Sequence, residues 1–395
     1  MRTTLTFLMI SVVLIASGCV RDKAKPSNYY TCPVPIADQQ SDHPLADRLQ
    51  AFADSRVTAG VPGLSITVHD PVNGRWSGVA GRAELIGDIP LETCHVTRVG
   101  STVKTYTAVA VLLLWERGLI GLDDPITKYL READIAGIAN AEEATVRQLL
   151  QHSSGMDNYI RNLNFQTASL NNFTHVWQPD ELLAYSRGVP AQFATGTDVG
   201  YSNTGYILLG RIIESVTGEP FYHFFDTEII APLQLRFTSF AAPDPVPDGI
   251  IRGYIDMYDN GELIDATHYS GWDYFTADGG LLSNPYDMNR FLQALFDGEL
   301  IGPEALAEMT DWQYPNEQEN DAFRTGFGLG IFAVETEYGV AYLHSGDAVG
   351  YFATMVHFPA QGVTITWAAN GNYGSLDQYT QTKEVMEEVF GLVLE

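Results

Sequence analysis

The sequence predicts an α/β fold: an antiparallel sheet built from both ends of the chain and flanked by helices, with a mostly helical region inserted between them. Three observations predict it. β-branched, alternating segments occur near the N-terminus and again near the C-terminus. The stretch between them, 120–300, carries segments with apolar residues at i, i+3 and i+4. The chain has 395 residues, 45% of them hydrophobic, which is enough to bury a large core.

Taken in order, the first element is a targeting segment. Arg2 precedes the apolar run LTFLMISVVLIA (5–16), which is too short to span a bilayer comfortably. The run ends in ASGC (16–19), which resembles a bacterial lipoprotein signal with Ala16 where leucine is usual. Residues 1–18 are therefore expected to be a signal peptide, and Cys19 the lipidated residue that anchors the protein to the membrane. A plain secretory signal would equally export the chain. Either way the expected location is the bacterial cell envelope, facing the periplasm or the exterior. Residues 19–44 are rich in Pro, Asp, Ser and Lys and read as a flexible tether; 45–395 read as the folded domain. Export permits a disulfide between Cys32 and Cys94, but nothing local fixes their distance, so two reduced cysteines stand equally.

GLSITVHD (63–70) alternates and reads as a strand. After the DPVNG turn, GRWSGVAG (74–81) completes a hairpin. VGSTVKTYTAVAVLLLWERG (99–118) reads as a helix whose part from Ala108 to Trp115 is apolar on every face, hence buried on all sides. Gly118 is its stop. EATVRQLLQH (143–152), YILLGRIIESVTG (206–218) and PYDMNRFLQALFDG (285–298) have helical spacing. GVAYLHSG (339–346), YFATMVHF (351–358) and GVTITWAAN (362–370) return to strands, and QTKEVMEEVFGLVLE (381–395) closes with a helix. An inserted region makes a cleft where it meets the sheet.

The formal charge of −27 excludes nucleic acid as a partner, because phosphate binding needs basic patches. The chain has only five lysines, at 23, 25, 104, 128 and 383. Lys104 sits at the mouth of the most hydrophobic helix, three residues after Ser101, so the two side chains share a face. A serine hydroxyl needs a base to become a nucleophile. Burial disfavours an ammonium and brings a lysine toward that role. Other chemistries find less support. The GFGLG stretch (326–330) lacks the G-x-G-x-x-G spacing and reads as tight strand packing. GYSNT (200–204) ends in Thr204 where a G-x-S-x-G elbow needs glycine, and no H-E-x-x-H is present. No cofactor and no metal are expected.

With YSN at 201–203 and HSG at 344–346 following S-x-x-K in order, the sequence resembles the serine β-lactamase and penicillin-binding protein superfamily, in its class C-like branch. GVPGLSITV (60–68), LIGLDDPITKYL (119–130), TVRQLLQHSSGM (145–156), ADGGLLSNPYDMNRFLQAL (277–295) and LHSGDAVGYFA (343–353) support it. The resemblance implies a β-lactamase/transpeptidase-like fold and an acyl-enzyme at Ser101. Lys104 would share the serine proton. Tyr201 would be base or proton shuttle, its phenol pKa lowered by the lysine charge. Asn203, His344 and Gly346 would contact substrate, and the backbone N–H groups of Ser101 and Asp347 would form the oxyanion hole. His152, in QHSSG, reads as a satisfied structural histidine.

The third motif departs from the Lys-Thr-Gly usual in β-lactamases of this branch. His-Ser-Gly resembles D-alanyl-D-alanine carboxypeptidases, D-aminopeptidases and related esterases, and a largely neutral histidine offers less to a substrate carboxylate. The Asp347 carboxylate would oppose an oxyanion if it faced the cleft. The expected function is thus an exported serine hydrolase, of D-amino-acid peptidase or esterase type, acting on a small-molecule, peptide or ester substrate such as a peptidoglycan stem peptide. A weak class C-like β-lactamase, or a catalytically silent sensor or scaffold lipoprotein, is the alternative.

Overall fold

A computed structural model describes residues 32, 36, 42–243, 246–247, 249–269, 271, 273–317 and 323–395. The signal peptide and Cys19 lie outside the described residues. Helix α1 (Ala46–Thr58) leads into the strands β1 (Gly63–Asp70), β2 (Gly74–Glu84) and β3 (Ile89–Pro90). Helix α2 (Val103–Glu116) follows, and the inserted region carries α3 (Asn203–Thr217) and α4 (Pro285–Phe296) among shorter helices. Strands β4 (Thr325–Phe327), β5 (Phe332–Thr336), β6 (Gly339–Ala348), β7 (Tyr351–Phe358) and β8 (Val363–Ala369) follow, then α5 (Lys383–Leu394). The sheet has eight strands in the order β3-β2-β1-β8-β7-β6-β5-β4, all neighbours antiparallel. Both ends of the chain build it, as the patterning predicts, because β1 pairs with β8 from Leu64–Ala369 to His69–Thr364.

Its two faces differ. Leu64, Ile66 and Val68 of β1 join Leu49 and Phe52 of α1 and Val389 and Phe390 of α5 in one apolar cluster. The opposite face is buried but polar: Thr67 and Ser77 hydroxyls meet at 2.8 Å, and Asn289 of α4 donates to Thr364 O at 2.9 Å. A larger apolar cluster lies within the inserted region, around α2 and α3.

The structure changes several expectations. EATVRQLLQH is helical only over Val146–Leu150, because His152 turns to a left-handed φ of 58°. Two small three-stranded sheets, of two- and three-residue strands too short for alternation to show in sequence, join the inserted region to Thr97–Arg98 and to Gly371–Asn372. Cys32 and Cys94 form a disulfide, with Cα atoms 5.7 Å apart. His43 is buried and its Nε2 lies 3.0 Å from Asp70 Oδ2. The segment read as a tether is thus fastened to the body at two points. GFGLG is tight packing, as expected: Gly330, at φ 69°, lies against Ala108 and the Lys104 carbonyl.

Candidate active site

The strand β5 pairs with β6 only as far as Phe332–Leu343. Residues 344–348 therefore have one side free of a described strand partner, and the start of the α2 segment fills that edge. The contact is backbone to backbone. A Cβ on Gly346 would sit 2.1 Å from Val99 O and 2.5 Å from Ser101 N, and one on Gly100 would sit 2.8 Å from Asp347 N. Only glycine permits this approach. Gly346 thus faces the serine backbone, and the backbone of Asp347 lies beside that of Gly100–Ser101.

Ser101 is half-buried in a 3-10 turn, Gly100–Thr102, that precedes α2. The expected helix therefore starts later than its apolar pattern suggested, and its tight first turn tips Ser101 toward Lys104. Lys104 is fully buried; its Nζ donates to Ser101 Oγ at 2.9 Å and to the Asp278 carbonyl at 2.6 Å. Burial lowers its pKa to about 8, against the opposing pull of Asp278 and Asp273.

Tyr201 lies 5.0 Å (ring centroid) from Lys104 Nζ, with its hydroxyl in hydrogen-bonding reach of Ser101. Here the structure corrects the sequence reading. The Tyr201 phenol is pushed up, not down: burial outweighs the Ser101 hydrogen bond, and Asp278 and Asp347 add to the rise. At neutral pH it is a hydroxyl, not a phenolate.

His344 is 1% exposed, its Nδ1 is 2.7 Å from the Ser345 carbonyl, and burial together with Lys104 lowers its pKa to about 3. It is an uncharged imidazole, as the third motif suggested. Asn203 is buried, and its Nδ2 donates to Asn158 Oδ1 at 3.1 Å, so one of the donors the sequence reading assigned to substrate is used within the protein. The Asp347 side chain is exposed, and Asn372 Nδ2 reaches its Oδ1 at 3.5 Å.

Three features were not legible beforehand. His152 grips Tyr201 from both sides: its carbonyl accepts from Gly200 N at 2.9 Å, its Nδ1 accepts from Ser202 N at 3.1 Å, and its ring lies 4.4 Å from the tyrosine ring. It is structural, as read, but not fully satisfied, since its Nε2 is buried without a partner. Asp278 and Asp273 are buried beside Lys104; Tyr159 donates its hydroxyl to Asp278 Oδ2 at 3.1 Å, and burial raises both carboxyls, that of Asp273 to about 7. In a chain with 49 acidic residues, no local signal marks these two.

The chain is similar to several known proteins. A penicillin-binding protein of Bacillus subtilis is 27% identical over 304 residues, covering 73% of this chain and 64% of that protein. A D-stereospecific amidohydrolase from Streptomyces superposes with a TM-score of 0.74 at 28% identity, over 86% of this chain and 97% of that one. A D-amino acid amidase from Ochrobactrum anthropi, in complex with L-phenylalanine amide, gives a TM-score of 0.76 at 26% identity, over 88% and 98%. The family model described as Beta-lactamase matches residues 45–387. With the serine, lysine, tyrosine and His-Ser-Gly strand gathered at one edge of the sheet, the chain belongs to the beta-lactamase family of serine hydrolases.

Proposed function

We propose that the protein is an exported acyl hydrolase that forms an acyl-enzyme at Ser101 and acts on D-amino-acid amides or peptides, or on esters. The observation that carries this reading is the 2.9 Å contact between Ser101 Oγ and a fully buried Lys104 whose pKa is about 8. About one lysine in ten is then neutral at pH 7. Ser101 Oγ attacks the substrate carbonyl while its proton passes to the neutral Lys104 amine. The negative charge on the carbonyl oxygen is taken by the N–H groups of Ser101 and Asp347. As the C–N or C–O bond breaks, the departing group takes its proton from the Tyr201 hydroxyl, which Lys104 reprotonates. Water then attacks the acyl-enzyme by the reverse relay, releasing the acid and restoring Ser101. The protonated Tyr201 suits donation to the leaving group, and the neutral fraction of Lys104 suits the first proton abstraction.

The amide and ester preference rests on His344, which brings no permanent charge for a substrate carboxylate, and on the likeness to amidohydrolases that act on D-amino-acid derivatives. Export and anchoring through Cys19 rest on residues 1–19 and on the disulfide, which needs an oxidising compartment. The test is intact-protein mass spectrometry after mixing with D-phenylalanine amide, a D-alanyl-D-alanine peptide, a p-nitrophenyl ester and a penicillin. An adduct on Ser101 from the amide or ester, lost in Ser101→Ala, is expected; labelling at Ser154 or Ser202 instead would move the site.

A further inference from the structure

An apolar cavity of about 470 Å³ lies at the end of β6, a size in the range of small-molecule sites, roughly 300–1,000 Å³. Ile160, Phe165, Phe173, Ile255, Met257 and Val349 line it. Three of its lining residues stand close to the groups around Ser101. Val349 is two residues beyond Asp347. Ile160 follows Tyr159, whose hydroxyl is bonded to the Asp278 side chain, and the Asp278 carbonyl holds Lys104. Tyr373, on the wall, is near enough to Asp347 and Asp273 for their charges to act on its phenol.

Among the described residues the lining contains no basic side chain, and its one carboxylate, Asp256, is engaged by the N–H groups of Asn260 and Gly261 and by Ser375 Oγ. An anionic group would enter an apolar space against a like charge. The mouth also keeps large apolar side chains in water: Leu170 is 61% exposed, Tyr373 43% and Met257 40%. Covering such surface on binding is favourable.

We infer that this cavity receives a bulky, uncharged apolar group of the substrate, on one side of the bond cleaved at Ser101. This rests on the acyl-enzyme reading above. The specificity-determining residues are those of the wall, among them Ser169, which is buried and small enough to leave the cavity open.

The experiment uses two series of esters, one varied only in the acyl group and one only in the alcohol, each running from two carbons to octyl and benzyl, with a carboxylate-ended acyl chain as control. It compares the wild type with Ser169→Phe, which fills the cavity, and Met257→Trp, which narrows its mouth and leaves the buried wall intact. In one series kcat/KM should rise about tenfold or more from the shortest to the bulkiest group, and the carboxylate-ended chain should be rejected. Either variant should flatten that rise, lowering kcat/KM for the bulkiest ester far more than for the shortest. A rise that persists in both variants, or no rise in either series with Ser101 still acylated, would overturn the cavity proposal alone. No adduct on Ser101 from any ester would overturn the acyl-enzyme reading, and this proposal with it.

Discussion

The two ends of the segment 99–116 obey opposite rules. From Ala108 to Leu114 it is an apolar rod, with Ala108, Val109, Ala110, Val111 and Leu112 fully buried among other apolar side chains. Four to seven residues earlier the same chain holds a buried amine against a half-buried hydroxyl, and stands beside imidazoles and carboxyls that keep atoms without partners. The apolar half gains stability from area removed from water. The polar half gives up some of that gain, since taking an ammonium out of water is unfavourable, and obtains instead an amine that loses its proton near neutrality. One short segment thus separates stability from chemistry, and substitutions at its two ends should have separable effects.

The largest effect is expected at Lys104. Lys104→Arg keeps a positive charge but no proton acceptor, so acylation of Ser101 in a quenched time course should fall about 10³-fold. Lys104→Met should be equally slow yet melt no lower than wild type, because a buried charge is replaced by an apolar chain of similar length. A folded Lys104→Arg protein that acylates within tenfold of wild type would make Lys104 an electrostatic prop and erase the contrast between the two ends.

The opposite end is broken by Leu112→Ala. It should lower unfolding free energy in denaturant by about 2–5 kcal/mol. Single-turnover acylation of the folded protein should stay near wild type. A matching loss of rate would mean that the rod transmits its packing to Ser101.

His152 sharpens the comparison, because it holds the backbone on both sides of Tyr201, the proton donor proposed above, and packs against its ring. His152→Ala removes the Nδ1 acceptor and the ring beside Tyr201, and should cost on the order of 10²-fold in kcat with little change in KM. Asparagine tolerates the left-handed φ of 58° and offers an oxygen to Ser202 N–H, so His152→Asn should recover part of that loss. Equal damage from both would reduce His152 to packing.

The mildest test is pH. Burial lowers the Lys104 pKa from 10.5 to about 8, so the neutral amine grows as pH rises through that value. Acylation should climb about tenfold per unit below pH 8 and level off above it. Since His344 stays neutral above about pH 3, it should add no inflection between pH 5 and 8. A profile flat from pH 6 to 9 would remove Lys104 as the base.

The sequence by itself determined the scaffold and singled out Ser101 and Lys104 as the candidate reacting pair. Alternation of period two in GLSITVHD and the all-round apolarity of AVAVLLLW are local facts that burial turns into a strand and a buried helix, and both lie where the pattern put them. Ser101 and Lys104 are also local, since a three-residue spacing brings them together on any tight turn. Tertiary structure alone decided what those groups do. It closed the bond between Cys32 and Cys94, 62 residues apart. It placed Asp278, 174 residues away, against the lysine, and it set His152 on both flanks of Tyr201. It also reversed the expected direction of the Tyr201 pKa. A sequence motif puts a lysine beside the phenol, but the desolvation that raises the phenol comes from every residue packed around it, and that sum exists only once the chain has folded.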